Sequence, residues 1–274
     1  MLGERTLVMG VLNVTPDSFS DGGHYLDAGA AVERALEMEA EGADLIDIGG
    51  ESTRPGSEGV PAETELGRVL PVVEALRGRL KIPISIDTQK AGVAEAAIAA
   101  GAEMVNDVSA LRSPEASGQA LGEVVRRAGV PLVLMHMRGR PKTMQQRPFA
   151  RDVMRDVTCG LREALERARR AGIPRSRVIL DPGIGFGKSV EQNCQLLARL
   201  GELARLGCPL LVGSSRKTFL GALLGGAAED SRMWGTAASV TAAVLGGAHI
   251  VRVHDVKEMA QVVRVADSIR EAGR

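Results

Sequence analysis

One complete repeat of the predicted fold is contained in residues 178–206, VILDPGIGFGKSVEQNCQLLARLGELARL. The apolar run Val178–Leu180 predicts a short strand, and a glycine-containing turn leads from it into a helical pattern over Val190–Leu206. A continuous apolar run, rather than an alternating one, indicates a strand buried on both faces, as in a parallel sheet covered by helices. The sequence on both sides of this stretch repeats the same arrangement.

Eight such repeats are predicted along the chain. The strands are Leu7–Leu12, Leu45–Ile48, Ile84–Ile86, Met104–Val105, Leu132–Met135, Val178–Leu180, Leu210–Val212 and Ile250–Val253. The helices are Ala28–Glu41, Ala62–Arg79, Lys90–Ala100, Pro114–Ala128, Arg151–Ala171, Val190–Leu206, Met233–Leu245 and Val256–Ala272. Eight repeats favour a closed barrel over an open doubly wound sheet. We therefore expect an α/β fold, one (β/α)8 TIM-barrel domain over residues 1–274, with long rim loops after strands 1 and 2.

Composition limits the classes of function. Thirty-four basic and 34 acidic residues cancel, which gives no basic face suited to nucleic acid. The three cysteines have no CxxC spacing, so neither disulfides nor a structural zinc site is expected. An apolar run already begins at Leu7 and none is long enough to span a bilayer, so we expect no signal peptide, no membrane partner and a cytoplasmic location.

Polar residues follow nearly every predicted strand. They are Asn13, Glu51, Asp87, Asn106, His136, Asp181, Ser214 with Lys217, and Arg252 with His254. One such residue would usually be a turn former or a helix cap, but capping alone does not explain eight at the same position in the repeat. Because the carboxyl ends of barrel strands meet at one rim, these side chains predict an active site there.

Several segments resemble the signatures of one family. They are MGVLNVTPDSFSDGG (9–23), ESTRPG (51–56), SIDT (85–88), NDV (106–108), MHM (135–137), DPGIGFGK (181–188), SRK (215–217) and RVH (252–254). In this order they resemble the dihydropteroate synthases, which are pterin-binding enzymes, over practically the whole chain. The glycine spacing in 183–187 is not GxGxxG, which argues against a dinucleotide fold. The resemblance implies a transferase of folate biosynthesis that condenses a dihydropterin diphosphate with 4-aminobenzoate.

A pterin ring presents an edge of amide and amino groups, which buried carboxylates and carboxamides can recognise. The resemblance assigns that edge to Asp87, Asn106 and Asp181. It assigns Lys217 to the ring as a hydrogen-bond donor whose stem covers one face, and we expect Phe186 and Met135 to form apolar walls.

The diphosphate requires an anion site. Arg252 and His254 are two residues apart on one strand and can donate to phosphate oxygens, while Asn13 is expected to close the other edge of the barrel mouth. The resemblance assigns these three residues to diphosphate and Asn13 also to Mg²⁺, the expected cofactor. One asparagine is chemically sufficient, because Mg²⁺ keeps water and phosphate oxygens in its shell.

The second substrate supplies the nucleophile as an aryl amine, so no Ser–His–Asp arrangement is required. If diphosphate leaves before attack, a carboxylate can stabilise the cationic methylene-pterin, and Asp87 is our choice for it. Lys217 and Asp17 complete the predicted catalytic set, Asp17 by ordering the first loop over diphosphate. The aminobenzoate pocket is predicted from the family loops and from a helix start, at Phe19, Thr53, Arg54, Pro55, Ser215 and Thr218.

Two other interpretations share this barrel. A methyltetrahydrofolate-binding methyltransferase would use similar Asp and Asn residues but would not need the 13–23 loop or the 53–56 segment. A non-catalytic pterin-binding barrel would have lost rim residues, whereas all the expected ones are present. The resemblance further implies a homodimer through the C-terminal helices.

Overall fold

Eight parallel strands form the centre of the computed structural model, which describes residues 3–15, 28–52, 57, 59–112, 121–139, 144 and 151–273. The strands are β1 (Leu7–Asn13), β2 (Leu45–Gly49), β3 (Ile84–Asp87), β4 (Met104–Asp107), β5 (Leu132–Met135), β6 (Val178–Asp181), β7 (Leu211–Val212) and β8 (Ile250–Val253). Their order in the sheet is β6-β5-β4-β3-β2-β1-β8-β7.

The two ends of this sheet meet. A parallel bridge joins Leu180 of β6 to Leu210, which directly precedes β7, and the Leu180 amide donates to the Pro209 carbonyl at 2.9 Å. The sheet therefore closes into a barrel, as predicted, although β7 is only two residues long.

The described helices surround the strands. They are α1 (Ala28–Glu41), α2 (Ala62–Leu76), α3 (Ala91–Ala100), α4 (Leu121–Ala128), α5 (Val153–Arg170), α6 (Val190–Ala198), α7 (Thr218–Leu223), α8 (Met233–Leu245) and α9 (Val256–Ala272). Short 3₁₀ helices span Arg175–Arg177, Leu200–Leu206 and Glu229–Ser231. None of these helices combines the length and the apolar character that crossing a membrane requires.

Two apolar clusters account for the continuous apolar strands. The larger one lies between the strands and the helices and includes Ile46, Ile86 and Leu134. The smaller one draws side chains from seven of the eight strands and fills the barrel interior: Leu7, Met9, Leu45, Met104, Val133, Ile179, Leu211 and Ile250. Each strand thus buries both faces.

Differences from the predicted elements are local. The pattern over 190–206 is one α-helix that ends at Ala198 and then a 3₁₀ helix, with Gly201 in the second part lowering helix propensity. A capping box at Ser189 and Gln192 sets the start of α6. A helix start was predicted near Ser215 and Thr218, and α7 does begin at Thr218. Its range was not predicted, because so short a helix shows no period. Of the helix predicted over Pro114–Ala128, residues 114–120 lie outside the described part.

Candidate active site

A cavity of about 390 Å³ opens where the strands end. Its walls include Asn13 at the end of β1, Asp87 at the end of β3, Phe186 after β6, and Arg252 with His254 at β8. Residues that are far apart in sequence therefore meet at one rim, as the barrel topology predicts. Lys217, Ser215 and Thr218, which follow β7, also line this cavity.

The guanidinium of Arg252 lies between two carboxylates. Its Nε donates to Asp47 Oδ2 at 2.6 Å, and its Nη2 donates to Asp87 Oδ2 at 2.8 Å. These bonds use only part of the donor capacity of an arginine, so further N–H groups remain to meet an anion. They also fix the direction in which the guanidinium faces the cavity.

Asp47 is the residue of this cluster that the sequence did not single out. It is fully buried on β2, and its Oδ2 also accepts a hydrogen bond from Asn106 Nδ2 at 2.9 Å. Asp47 lies in the middle of an apolar strand. The polar residues that the sequence indicated lie instead at or after the ends of strands. An acidic residue within a strand buried on both faces was the available signal, because such a charge needs partners.

Burial raises the pKa of Asp87 to about 7, and the neighbouring Asp47 carboxylate adds to this effect while Arg252 opposes it. Burial likewise raises the pKa of Asp181 to about 6. His254 shifts the other way: burial, together with the charges of Arg252, Arg216 and Lys217, lowers its pKa to about 3. His254 is therefore neutral near pH 7, so one of its ring nitrogens is a donor and the other an acceptor.

The segment 181–188 forms a tight turn over the end of β6. The Gly183 amide donates to Asp181 Oδ1 at 2.6 Å, and the Gly185 amide donates to Asn193 Oδ1 at 2.7 Å. Phe186, which is 8 % exposed, lies under the Lys217 ammonium, 4.1 Å from the ring centroid to Nζ. The structure thus brings together Asp181, Phe186 and Lys217, three residues predicted for the pterin.

The segment after β7 contacts the end of β8. Ser215 Oγ lies 3.0 Å from His254 Nδ1 and accepts the His254 amide at 3.2 Å. Arg216 adopts a left-handed conformation, φ 57°, and its side chain pairs with Asp255. This strained residue turns the chain between Ser215 and Lys217, so that both line the cavity.

A buried charge cluster lies at the base of the loop after β2. The Lys90 ammonium contacts Glu51 and Glu65, whose side chains are 11 % and 1 % exposed. Glu51 Oε2 also accepts the Val60 amide at 3.3 Å. Burial acts against the charge of Lys90, but the two carboxylates outweigh it and raise its pKa. The sequence indicated Glu51 as a rim residue but gave no sign of its partners.

Other predicted residues lie elsewhere in the fold or outside the described part. Met135 packs with Val108, Met144 and Phe186 in a small apolar cluster beside the site. His136 is buried, 3.7 Å from Asp156, and burial lowers its pKa to about 3. Asp17, Phe19, Thr53, Arg54 and Pro55 lie outside the described residues.

Sequence comparison agrees with this geometry. The pterin binding enzyme family matches residues 9–254. A dihydropteroate synthase of Synechocystis is 49% identical, with 97% of this chain and 91% of that protein covered. The dihydropteroate synthase of Escherichia coli K12 is 46% identical, with 97% and 92% covered.

Solved structures share the fold over nearly the full length. A Yersinia pestis dihydropteroate synthase in complex with a sulfonamide drug superposes with a TM-score of 0.90 at 46% identity, covering 98% of this chain and 95% of that one. A Xanthomonas albilineans dihydropteroate synthase in complex with 7,8-dihydropteroate gives 0.87 at 44% identity, with 97% and 94% covered. Described residues of the family's motifs lie together at one rim, and the chain belongs to the dihydropteroate synthases of the pterin binding enzyme family.

Proposed function

We propose that this chain condenses 7,8-dihydropterin-6-ylmethyl diphosphate with 4-aminobenzoate, giving 7,8-dihydropteroate and diphosphate in folate biosynthesis. The observation that carries the proposal is the cavity, which is lined by an arginine held by two carboxylates and by an aromatic ring with a lysine above it. Near-full-length relatives with dihydropteroate synthase names support it.

We place the pterin between Phe186 and the edge formed by Asp87, Asn106 and Asp181. Asn106 and Asp181 are 4 % and 6 % exposed, so a ring lacking the matching hydrogen-bond groups would leave buried polar atoms unpaired. The stem of Lys217 passes close to Gly185. A Cβ at residue 185 would lie only 3.0 Å from Lys217 Cδ. The absence of a side chain at residue 185 gives that stem room to cover the ring.

The diphosphate would then contact Arg252, His254 and Asn13, which all line the cavity. A neutral amide oxygen at residue 13 beside a phosphate site fits Mg²⁺, which accepts few protein ligands when phosphate oxygens share its shell. When bound, Mg²⁺ would offset charge on the leaving diphosphate. The cation site is proposed at Asn13, since the described residues contain no group of three or more His, Cys, Asp or Glu suited to a metal.

The aminobenzoate would bind nearer the mouth of the cavity. Ser215 and Thr218 line it and are proposed to hold the carboxylate, with Phe19, Thr53, Arg54 and Pro55 from the two rim loops. A Xanthomonas albilineans dihydropteroate synthase has been solved with 4-aminobenzoic acid at a TM-score of 0.90. If the pocket is as proposed, a sulfonamide competes with 4-aminobenzoate and not with the pterin substrate.

The reaction proposed is substitution at the exocyclic methylene carbon. The carbon–oxygen bond to diphosphate breaks, and the electron pair leaves with the diphosphate oxygen. Ionised Asp87 stabilises the resulting pterin cation, and Lys217 and Asp17 hold the ring and the diphosphate side. The aryl amine then forms the carbon–nitrogen bond and releases one proton to solvent.

The test combines both substrates with Mg²⁺ and measures diphosphate and dihydropteroate in equal amounts. Asp87→Asn should keep the fold and reduce kcat by about 100-fold, because the cation loses its carboxylate. Lys257→Met, on the exposed face of α9, is the control and should leave kcat unchanged. Diphosphate release without dihydropteroate, or near-normal kcat for Asp87→Asn, would contradict the mechanism.

We also propose a cytoplasmic location, in which Cys159, Cys194 and Cys208 stay reduced.

We further propose a homodimer that forms through the C-terminal helices. Exposed apolar side chains lie on α8 and α9, among them Trp234 at 77 %, Val265 at 61 % and Ile269 at 56 %. Residues 1–274 are proposed to form one domain. Sedimentation velocity at micromolar concentration should give a dimer, and Trp234→Arg should shift it to monomer; a wild-type protein sedimenting only as monomer would exclude the dimer.

A further inference from the structure

Lys188 ends the glycine-rich turn after β6 and points into the protein. It is 4 % exposed, and its ammonium donates to the carbonyls of Gly183 at 2.8 Å, Phe186 at 3.0 Å and His136 at 3.3 Å. A lysine ammonium has three N–H donors, and three carbonyl oxygens meet them here. Lys90, in contrast, is neutralised by two glutamates.

The backbone around Lys188 is closely packed against the segment that follows β5. Gly183, Gly185 and Gly187 have φ of 67°, 86° and 66°, a region that disfavours side chains. A Cβ on Gly183 would lie 1.9 Å from the His136 carbonyl oxygen, and one on Gly187 would lie 2.3 Å from that of Arg138. The turn is therefore pressed directly against the segment that follows β5.

Three buried carbonyl oxygens that converge on one point repel each other unless a donor satisfies them. Removing the ammonium would take this donor from all three carbonyls and leave the Gly183 carbonyl with the Phe186 amide. The chain would then relax by turning these carbonyls outward. That motion moves Phe186, whose own carbonyl is one of the three and whose amide donates to Gly183 O at 3.1 Å.

From this arrangement we infer that Lys188 is a positioning residue for pterin binding: its ammonium holds the 181–188 turn in the shape that presents Asp181 and the Phe186 ring. The inference rests on the proposed function, which assigns these two side chains to the pterin. Lys188 acts through the backbone and contacts no substrate. The diphosphate residues Arg252 and His254 belong to β8 and its end, so they do not depend on this turn.

The experiment compares Lys188→Met, which keeps the length but not the donors, with Lys257→Met on the exposed face of α9. Calorimetry measures the Kd of 6-hydroxymethylpterin, which lacks diphosphate, and of inorganic pyrophosphate with Mg²⁺. We expect Lys188→Met to weaken pterin binding by about tenfold or more, as loss of a charged hydrogen-bond donor does. Pyrophosphate affinity should change by less than about twofold, and the KM for 4-aminobenzoate should change little compared with that for the pterin substrate.

Each other result has a defined meaning. Equal losses for pterin and pyrophosphate would show a general structural role, and unchanged pterin affinity would exclude any role; both overturn the inference. Should Lys188→Met not fold, Asn193→Ala removes a second support of the turn. The Asn193 amide accepts the Gly185 N–H and donates to the Lys188 and Ser189 carbonyls, so its loss should give a smaller but equally selective pterin loss. A wild-type protein that binds no pterin would instead refute the proposed function, and the inference with it.

Discussion

At the scale of single residues, the charge balance at Asp87 sets the pH dependence of the proposed reaction. The cation is stabilised only by the ionised carboxylate, and the pKa of Asp87 is about 7, so kcat/KM should fall as pH drops below about 7. The stability effect has the opposite sign. The pKa of Asp87 in the folded protein lies above its ordinary value of 3.8, so folding favours the protonated carboxyl. Asp87 therefore lowers the free energy of unfolding as the pH rises from 3.8 to about 7.

Asp47→Asn tests this account. Loss of a neighbouring negative charge should lower the pKa of Asp87, so the acid side of the kcat/KM profile should move to lower pH. The profile is measured from pH 5 to 9 alongside Asp87→Asn, in which the titration of residue 87 is removed. A profile for Asp47→Asn that matches wild type would mean that Asp47 does not act on Asp87.

The sequence predicted some residues of the cavity and missed others. Asp87, Lys217, Arg252 and His254 were found because they lie at or beyond the carboxyl ends of strands, and the structure brings all four to one cavity. Asp47 was missed because its position inside a strand run carries no positional signal. Which partner satisfies a buried charge depends on contacts between distant strands, and these follow from barrel closure rather than from local sequence.

At the scale of elements, the Lys90 cluster joins three parts of the fold. Lys90 immediately precedes α3, Glu65 lies in the first turn of α2, and Glu51 follows β2 by two residues. Arg68 Nη1 adds a bond to the Gly50 carbonyl at 2.7 Å. The base of the second rim loop is thus held from two helices, although the loop's own residues 53–56 and 58 lie outside the described part.

Lys90→Met should lower the free energy of unfolding by about 3 kcal/mol, because two buried carboxylates lose their shared cation. The exposed Lys81 supplies a matched control, and Lys81→Met should change stability by no more than about 0.5 kcal/mol. Urea unfolding monitored by circular dichroism measures both. Adding Glu65→Gln to Lys90→Met should recover part of the loss; no recovery would mean that packing, and not charge, explains the effect.

Elements were predicted better than their ends. The helices at 28–41, 233–245 and 256–272 and the strands at 132–135 and 250–253 match the structure in both bounds. Strands generally extend one or two residues further than predicted, because the polar residues read as following them, such as Asn13 and Asp181, still pair in the sheet. The polar residues therefore predicted the position of the rim correctly, but the predicted strands ended one or two residues too early.

At the scale of the whole molecule, the ring of strands is uneven. β1 and β2 pair over five residues, whereas β6 and β7 meet through one bridge and a short β7. Heating should therefore separate this seam before the rest of the barrel. Hydrogen exchange should show the Leu180 amide, which donates across the seam, exchanging faster than the Ile48 amide of β2, which is paired along its full length. Equal exchange of the two would show that the barrel opens as one unit.

The seam between β6 and β7 lies beside the proposed pterin site, so a bound substrate would also affect the stability of the barrel. Asp181 and Phe186 stand on its β6 side, and Lys217 stands on its β7 side, with the ammonium 4.1 Å from the Phe186 ring. A pterin ring bound between Phe186 and Lys217 would contact both sides of this seam. It would therefore have to be released before β6 and β7 could separate, so its binding would stabilise the seam. An unliganded barrel that opens there would expose two unpaired strand edges, which are templates for joining other chains. Bound pterin would thus oppose the separation of β6 from β7 and keep those edges from pairing with other chains.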